Sequence, residues 1–311
     1  MVMYQIESVT KRKNKKKIAM IIIIAILFVM LSIFSAIQLA NYLHDEENMA
    51  KSKNQTEGAA LTEGEKSNQT EEQPKDENNN AEEQSEKQNN TEGSLTEEQI
   101  EAIKHIYNSD DKRAFLTFDD GPSYSVTPKI LDILKKENIK ATFFVLGTMV
   151  KSNPEVLKRE YEEGHYIANH GYSHVYKKIY KNENAPLEEY KKTNKLIQDA
   201  LGNPNYQSNV FRFPGGSIGG YYDDIKKKAK KVFDQNNIAY LDWNALTNDA
   251  DGADTREEIM ENLKNTCGNQ SSVVILMHDA PNKDLTAETL PDVISYLKKQ
   301  GYTFCSLYDI L

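Results

Sequence analysis

The pattern of hydrophobic and polar positions divides the chain into three stretches. Residues 18–37, IAMIIIIAILFVMLSIFSAI, carry no charge, whereas residues 44–93 contain almost no large apolar side chain. Beyond residue 95, short apolar runs alternate with amphipathic stretches. These patterns are typical of a membrane-spanning helix, of a polar segment that cannot bury a core, and of a folded α/β domain.

The uncharged run predicts a membrane anchor. A run of this length crosses a hydrocarbon layer about 30 Å thick, and the basic residues of KRKNKKK at 11–17 favour a cytoplasmic N-terminus. We predict a cytoplasmic segment over 1–17, a transmembrane signal-anchor helix over 18–40 and an outward-facing remainder, in a single-pass protein of the cell membrane. A cleaved signal peptide is the alternative, but IQLANY at 37–42 is a poor cleavage site.

Residues 41–94 predict a disordered acidic linker. Residues 44–94 carry 14 Asp and Glu against 5 Lys, and such a segment buries too little apolar surface to offset the entropy lost on folding. The whole chain has a net charge of −9. A broad basic surface for nucleic acid is therefore not expected.

The last stretch predicts an α/β domain over residues 95–311. Amphipathic helices separate most of its apolar runs, which indicates a parallel sheet, and a capping-box pattern at Ser94–Glu97 predicts an N-terminal helix. The predicted strands are 113–118, 141–147, 165–168, 209–213, 238–242, 272–278 and 302–306. Seven units suit a closed or nearly closed (β/α)7 barrel. An open doubly wound sheet is the alternative, but no glycine-rich dinucleotide motif follows the first strand.

Polar side chains cluster after the predicted strands. They are Asp119 and Asp120 after the first, His170 and His174 after the third, Arg212 in the fourth, Asp242 and Trp243 after the fifth, and His278 at the end of the sixth. The carboxyl ends of the strands of a parallel barrel meet at one rim, which carries the function in such folds. We therefore expect these side chains to converge.

The residue types indicate metal chemistry. Two imidazoles four residues apart and one carboxylate form the open, three-ligand set of a catalytic divalent metal, which lowers the pKa of a water. A base must then stand beside that water. Successive residues leaving a strand point to opposite sides, so one carboxylate of the Asp119–Asp120 pair would bind the metal and the other would act as base. An acidic turn without chemistry is the alternative interpretation.

The motifs TFDDGP, NHGYSH, RFPGG, DWN followed by ND, and ILMHD occur in an order that resembles the polysaccharide deacetylase family, the NodB-homology domain of carbohydrate esterase family four. The resemblance covers about residues 110–311. It implies a distorted (β/α)7 barrel that removes acetyl groups from N-acetylated sugars, usually with zinc; Co²⁺ or a similar ion is the alternative.

The resemblance also implies a role for each site residue. Asp119 corresponds to the catalytic base, and Arg212 would hold it in place. Asp120, His170 and His174 correspond to the metal ligands, and His278 to the general acid. Trp243 and Leu276 would shape the acetyl pocket, and the backbone N–H of Gly215 would bind the oxyanion. Asp249 matches the second acidic position of the fourth motif and would tune His278, with Asp242 as the alternative.

Three departures from the family pattern affect the expected site. Gly171 replaces a Ser or Thr that usually fixes the metal-binding loop, and Gly215 replaces the Tyr that usually follows Pro214. Leu246 and Ala250 occupy positions where many relatives have Asp and Trp. These changes bear on substrate preference, whereas the predicted metal ligands are all retained.

The predicted function is metal-dependent removal of N-acetyl groups from cell-wall polysaccharide, most simply from N-acetylglucosamine of peptidoglycan. N-acetylmuramic acid, chitooligosaccharides, another exopolysaccharide or acetyl esters are alternative substrates, and an inactive wall-binding membrane protein is an alternative of another class. The expected partners are the glycan and the membrane, and the oligomeric state stays open. An outward location permits a disulfide between Cys267 and Cys305, but the sequence leaves their pairing open.

Overall fold

The computed structural model describes residues 93–250 and 252–311, which form a curved, wholly parallel β-sheet with helices packed against it. The predicted segments 1–17 and 18–40 and nearly all of the linker 41–94 lie outside the described residues. Within the described ranges, no helix combines the length and the apolar character needed to span a membrane.

Strands and helices alternate along most of the domain. The strands are β1 (Arg113–Asp119), β2 (Thr142–Val145), β3 (Tyr166–Asn169), β4 (Val210–Phe211), β5 (Ala239–Tyr240), β6 (Ala245–Leu246), β7 (Ser272–His278) and β8 (Thr303–Cys305). The helices are α1 (Glu97–Lys104), α2 (Thr127–Glu137), α3 (Gly147–Ser152), α4 (Pro154–Glu162), α5 (Tyr176–Ile179), α6 (Ala185–Leu201), α7 (Asp223–Gln235), α8 (Arg256–Cys267) and α9 (Asp284–Lys299). A 3₁₀ turn, Leu307–Asp309, follows β8.

The strand order is that of a barrel which is open on one side. The sheet runs β5-β4-β3-β2-β1-β7-β6, with β8 attached to β1, so the strands follow their chain order around a ring. A doubly wound sheet would instead reverse its order near the middle. Within the described residues, β5 and β6 do not pair with each other, which makes the sheet a half-barrel consistent with the (β/α)7 type.

Two details differ from the sequence prediction. The sheet has eight strands instead of seven, because Ala245–Leu246 pairs with Ile275–Leu276 of β7 and two residues are too few to show an alternating pattern. The ring is also less closed than predicted, since β5 and β6, which contain two residues each, do not pair with each other within the described residues.

Strand β1 occupies the centre of the sheet and determines where the first carboxylate lies. Its whole length pairs with β7, from Arg113 opposite Ser272 to Asp119 opposite His278. Its first half also pairs with β8 and its second half with β2. The register therefore places Asp119 beside His278 at the carboxyl ends of two adjacent strands.

Alternate residues of β1 belong to different apolar clusters. Ala114, Leu116 and Phe118 pack in the large cluster that includes side chains of α2, α8 and α9. Phe115 packs in a second cluster with alternate residues of β2, β3, β4 and β7. Side chains along a strand alternate between its two faces, so Asp119 lies on the same face as Phe115, towards the interior of the half-barrel.

Helix α1 contributes to the interior cluster. Ile103 and the following Ile106 are fully buried there, and the Gln99 side chain donates a hydrogen bond to the Leu311 carbonyl (2.6 Å). The capping box of α1 joins Thr96 and Gln99, two residues later than the predicted Ser94–Glu97 pair. The N-terminal helix therefore belongs to the folded domain and also holds its C-terminal end.

We expect Ile106→Ala to lower the free energy of unfolding of residues 93–311 by about 2–5 kcal/mol, because it leaves a cavity in a fully buried cluster. Chemical denaturation monitored by circular dichroism measures this change. Lys104→Ala, which alters an exposed side chain two residues away, should change stability by no more than about 0.5 kcal/mol. Equal effects of the two changes would contradict the role given to α1 and the residues that follow it up to Ile106.

Candidate active site

The side chains of Asp120, His170 and His174 lie together beside the carboxyl ends of β1 and β3. Their ligating atoms are all within 4.8 Å of one another, and Nε2 of each imidazole lies 3.7 Å from Oδ1 of Asp120. That oxygen is buried and has no hydrogen-bond partner in the described part of the chain. A buried carboxylate oxygen without a partner is costly unless a cation neutralises it. Two imidazoles and a carboxylate suit a catalytic divalent metal, so the cluster fits a metal ion.

The backbone leaves β1 in a left-handed turn. Asp120 has a φ of 75° and His174 a φ of 53°, a region that few residues other than glycine adopt. An oxygen of Asp119 and an oxygen of Asp120 each lie 3.7 Å from Nε2 of His170. The two neighbouring carboxylates thus converge on one imidazole instead of pointing to opposite sides, because Asp120 is no longer in extended conformation.

A backbone carbonyl orients the His170 ring. Nδ1 lies 2.7 Å from the Arg212 carbonyl oxygen, which can only accept a hydrogen bond, so Nδ1 carries the proton and Nε2 is free to bind a metal. Burial lowers the pKa of His170 to about 3, although the charge of Asp120 opposes this shift. The imidazole is therefore neutral near pH 7, as metal binding requires.

A carboxylate from α6 fixes the loop between the two imidazoles. Glu189 accepts hydrogen bonds from the backbone N–H groups of Tyr172 (2.8 Å) and Ser173 (3.1 Å) and from the Ser173 hydroxyl (3.0 Å). Gly171 has a φ of +83°, and a Cβ added there would lie 2.9 Å from Ile179. A side chain at position 171 would therefore require Ile179 to shift, and the loop is held by Glu189.

Arg212 is completely buried and holds Asp119. One guanidinium nitrogen donates to Asp119 Oδ1 and to the Thr117 hydroxyl, both at 2.8 Å. The other two donate to the backbone carbonyls of Leu241 (3.0 Å) and Asp242 (3.1 Å). All three guanidinium nitrogens therefore have partners, and one oxygen of Asp119 is left to face the metal-binding cluster.

Two opposing influences act on the Asp119 carboxyl. Complete burial raises its pKa, while the positive charges of Arg212 and His278 work against that rise. The net direction is upward. A carboxylate with a raised pKa is a stronger proton acceptor than an exposed one, which suits a general base.

The carboxylate beside His278 is that of Asp249. Its Oδ1 lies 3.0 Å from His278 Nδ1, and its Oδ2 accepts from the His278 backbone N–H at 2.8 Å. The hydroxyls of Thr247 and Thr286 donate to the same carboxylate at 3.0 and 2.7 Å. Burial by itself would lower the pKa of His278, but the hydrogen bond and charge of Asp249, with the charges of the Asp119–Asp120 pair, raise it to about 9.

Asp242 binds a different part of the site. Its carboxylate accepts from the Ser217 backbone N–H at 2.9 and 3.1 Å and from the Ser217 hydroxyl at 2.7 Å. Ser217 lies in the glycine-rich loop after β4, which also contains Gly215 at a φ of +71°. Asp242 therefore shapes the loop that carries the predicted oxyanion donor, and it is not the hydrogen-bond partner of His278.

The predicted residues surround one cavity of about 420 Å³. Its lining combines the metal-binding cluster, the Asp119 carboxylate, the Asp249–His278 pair and several other side chains. The lining residues are Asp119, Asp120, His170, His174, Tyr176, Gly215, Trp243, Leu246, Asn248, Asp249, Ala250, Leu276 and His278. Arg212 and Asp242 are not among the lining residues. Arg212 holds Asp119, and Asp242 binds Ser217 in the loop that carries Gly215.

Sequence reasoning missed several supporting residues. Thr117 stands two positions before Asp119 in β1, and this period-two spacing on a strand could have indicated a shared face. Thr247 also stands two positions before Asp249, but Asn248 between them has a φ of 58°, so the alternation of a strand does not apply there. Thr286, Glu189 and Tyr176 carry no comparable spacing, because they reach the site from other elements. Cys267 is buried and Cys305 half-buried, and no disulfide joins them in the structure.

Known proteins share this architecture and are similar in sequence. A sequence profile described as polysaccharide deacetylase matches residues 106–233. The solved structure of a Streptococcus mutans CE4 esterase superposes with a TM-score of 0.60 at 33% identity, covering 70% of this chain and 94% of that one. The chain belongs to the polysaccharide deacetylase family. The resemblance seen in the motifs is thereby confirmed. Members of this family are metal-dependent hydrolases that act on N-acetyl amide bonds.

Two curated members are similar to about two thirds of this chain. The peptidoglycan-N-acetylglucosamine deacetylase PgdA of Listeria monocytogenes is 35% identical over 200 residues, which are 64% of this chain and only 39% of that protein. The peptidoglycan-N-acetylmuramic acid deacetylase PdaA of Bacillus subtilis is 32% identical over 218 residues, 67% of this chain and 74% of that protein.

Metal content should separate the two carboxylates of the Asp119–Asp120 pair. We expect Asp120→Ala, His170→Ala and His174→Ala each to weaken divalent-metal binding more than about tenfold, since each removes a ligand. Asp119→Asn keeps the side-chain size and should retain the metal while abolishing turnover. Elemental analysis of the purified variants measures the metal directly, and loss of metal from Asp119→Asn would show that Asp119 is also a ligand.

The pH dependence of deacetylation should report the Asp249–His278 pair. A proton donor with a pKa of about 9 keeps activity until the pH rises through that value. Asp249→Asn removes the charge that raises the pKa, so the alkaline limb should move down by about 2 pH units or more, while the acid limb stays in place. Asp242→Asn, measured in parallel, should leave the alkaline limb near pH 9. A limb that moves only in Asp242→Asn would contradict the pairing.

Proposed function

We propose that the protein is a metal-dependent N-deacetylase of cell-wall peptidoglycan that acts on N-acetylglucosamine. The observation that carries this proposal is the arrangement of three groups in one cavity. Asp119, which Arg212 holds, and His278, which Asp249 holds, lie opposite each other on the adjacent strands β1 and β7. Both lie next to the Asp120–His170–His174 cluster. A base, an acid and a metal-binding set are the groups that hydrolysis of an unactivated amide requires.

Asp120, His170 and His174 would hold the metal. When bound, a divalent metal supplies Lewis acidity that polarises the acetyl carbonyl and makes water a better nucleophile at neutral pH. Zn²⁺ is proposed because two imidazoles and one carboxylate are ligands that it favours, with Co²⁺ as the alternative because imidazole nitrogen and carboxylate oxygen also suit it.

The chain's own residues would move the protons. Asp119 accepts a proton from the attacking water while Arg212 keeps its carboxylate in place. The Gly215 backbone N–H donates to the developing oxyanion, a contact typically worth about 3–4 kcal/mol. His278, protonated below pH 9, gives its proton to the leaving nitrogen as the carbon–nitrogen bond breaks. The products are acetate and a free amine.

The sugar specificity is proposed from the relatives. PgdA of Listeria monocytogenes is named for N-acetylglucosamine and matches at 35% identity, which supports the first choice. PdaA of Bacillus subtilis is named for N-acetylmuramic acid and matches over 74% of its length, which makes that sugar the second candidate. Trp243 and Leu276, which line the cavity, would contact the acetyl methyl group.

The location is proposed from the N-terminal sequence. The basic residues at 11–17 and the uncharged run that follows support a single membrane anchor over 18–40 with a cytoplasmic N-terminus. The polar, acidic residues of 41–94 would then link the anchor to a wall-facing catalytic domain over 95–311. In this arrangement the peptidoglycan is within reach of a membrane-bound enzyme.

The test is acetate release from purified peptidoglycan, with and without a chelator. The proposal expects release that stops on chelation and returns when Zn²⁺ or Co²⁺ is added. Mass spectrometry of digested glycan then identifies which sugar carries the new amine. Asp119→Asn provides the inactive control. Acetate release that persists in that variant, or release only from acetyl esters, would contradict the proposed reaction.

A further inference from the structure

A tight turn follows β4 and carries the proposed oxyanion donor. The backbone N–H of Gly216 donates to the Phe213 carbonyl at 2.8 Å, which closes a four-residue β-turn with Pro214 in its second position and Gly215 in its third. Gly215 has a φ of +71°, and a positive φ at the third position is characteristic of a type II turn. A Cβ at position 215 would also lie 2.6 Å from the Tyr176 hydroxyl, so glycine suits this position in conformation and in space.

The middle peptide of this turn determines where the oxyanion donor points. It joins the Pro214 carbonyl to the Gly215 N–H, and turns of types I and II differ in the orientation of this peptide. In a trans peptide the carbonyl and the N–H point in opposite directions. Gly215 lines the active-site cavity. Its N–H therefore faces the cavity only when the Pro214 carbonyl points away from it.

The Tyr180 hydroxyl holds that carbonyl. It donates to the Pro214 carbonyl oxygen at 2.7 Å in a buried hydrogen bond. Tyr180 is only 2% exposed and is not among the residues that line the cavity, so the Pro214 carbonyl is directed into the protein interior. A hydrogen bond to the carbonyl oxygen of an amide also polarises the amide and makes its N–H a stronger donor. Tyr180 thus both orients and strengthens the N–H of Gly215.

A buried lysine holds the next peptide of the turn. Lys226, on α7, is 5% exposed, and its ammonium group donates to the carbonyls of Gly215 (3.2 Å) and Gly219 (3.5 Å). The same ammonium lies over the Tyr180 ring, 5.2 Å from its centroid, which is within the range of a cation–π contact. Tyr180 and Lys226 therefore contact each other and hold the carbonyls of two consecutive peptides.

These side chains connect the turn to the metal-binding loop. Strand β4, which precedes the turn, contains only two residues, so the orientation of the turn depends largely on side-chain hydrogen bonds. Tyr180 directly follows α5 and stands six residues after His174. One short segment therefore carries a predicted metal ligand and also fixes the peptide that carries the predicted oxyanion donor.

We propose that Tyr180 is a positioning residue of the deacetylation reaction, which directs the Gly215 N–H towards the oxyanion through the Pro214 carbonyl, with Lys226 as a second support. This inference rests on the proposed function, in which negative charge develops on the acetyl oxygen as water attacks the carbonyl carbon. The N–H contact is then stronger in the transition state than in the bound substrate. Its loss slows the chemical step without weakening substrate binding.

The test compares the steady-state kinetics of full-length variants in detergent, with Zn²⁺ added and solubilised peptidoglycan as substrate. Tyr180→Phe keeps the ring and removes only the hydroxyl. It should lower kcat and kcat/KM by the same factor, about tenfold or more, while KM stays unchanged. The metal content and both limbs of the pH profile should stay as in the parent, because no metal ligand and neither proton-transferring group is altered. Lys226→Met should also lower kcat, by a smaller factor.

Tyr206→Phe is the matched control. Tyr206 is fully buried, and its hydroxyl also donates to a backbone carbonyl at 2.7 Å, but that carbonyl belongs to Ile167 of β3. The control should lose about as much stability as Tyr180→Phe, while its kcat stays within about twofold of the parent. An equal loss of kcat in the two Phe variants, or a change in Tyr180→Phe that falls on KM alone, would overturn the positioning role.

Hydrogen exchange followed by mass spectrometry tests the turn without turnover. Peptides that contain residues 213–216 should exchange faster in Tyr180→Phe than in the parent, because the turn opens more easily, and Tyr206→Phe should leave their exchange unchanged. Unchanged exchange in Tyr180→Phe would contradict the inference. Failure of the parent to release acetate from any glycan would reject the proposed function, and the exchange rates alone would then decide whether Tyr180 fixes the turn.

Discussion

The buried contact between Arg212 and Asp119 is the interaction on which the rest of the site depends. A fully buried guanidinium is tolerated only when its charge and its N–H groups are satisfied, and here Asp119, Thr117 and two backbone carbonyls satisfy them. The carbonyl of Arg212 itself orients His170. One residue thus links the carboxylate at the end of β1, the metal-binding imidazole after β3 and the backbone after β5. Removing it would leave a buried carboxylate without its counter-charge.

The two halves of the proposed acid–base pair are tuned in opposite ways. Burial raises the pKa of Asp119, which makes it a stronger proton acceptor. The neighbouring Asp249 carboxylate raises the pKa of His278, which therefore stays protonated to a higher pH. The register of β1 and β7 places the two groups side by side. The same fold therefore keeps one group charged negative and the other charged positive over a common range of pH, as an amide-cleaving site requires.

Much of the fold and of the site follows from local sequence patterns, and the remainder depends on contacts between distant segments. Strand–helix alternation predicts a parallel sheet, and polar residues at strand ends predict the members of the cluster, because both depend only on periodicity and topology. The extra strand at Ala245–Leu246 is too short to have a period. The gap between β5 and β6 depends on how separate segments come together in the fold, and the sequence of neither segment indicates it. Glu189 holds the metal-binding loop from a helix whose own pattern indicates only a packed amphipathic surface.

The uneven pairing of the strands has a consequence for internal motion. β1 and β7, which carry Asp119 and His278, share seven register pairs, whereas β4 has one with β3 and β5 has two with β4. Local opening of a protein is easiest where few backbone bonds must break together. Local opening of the backbone should therefore be concentrated in the short strands near Gly215 and Trp243. Asp119 and His278, which transfer the protons, lie on strands that should open less. A bulky polymer could then be admitted on one side of the cavity without loosening the chemistry on the other.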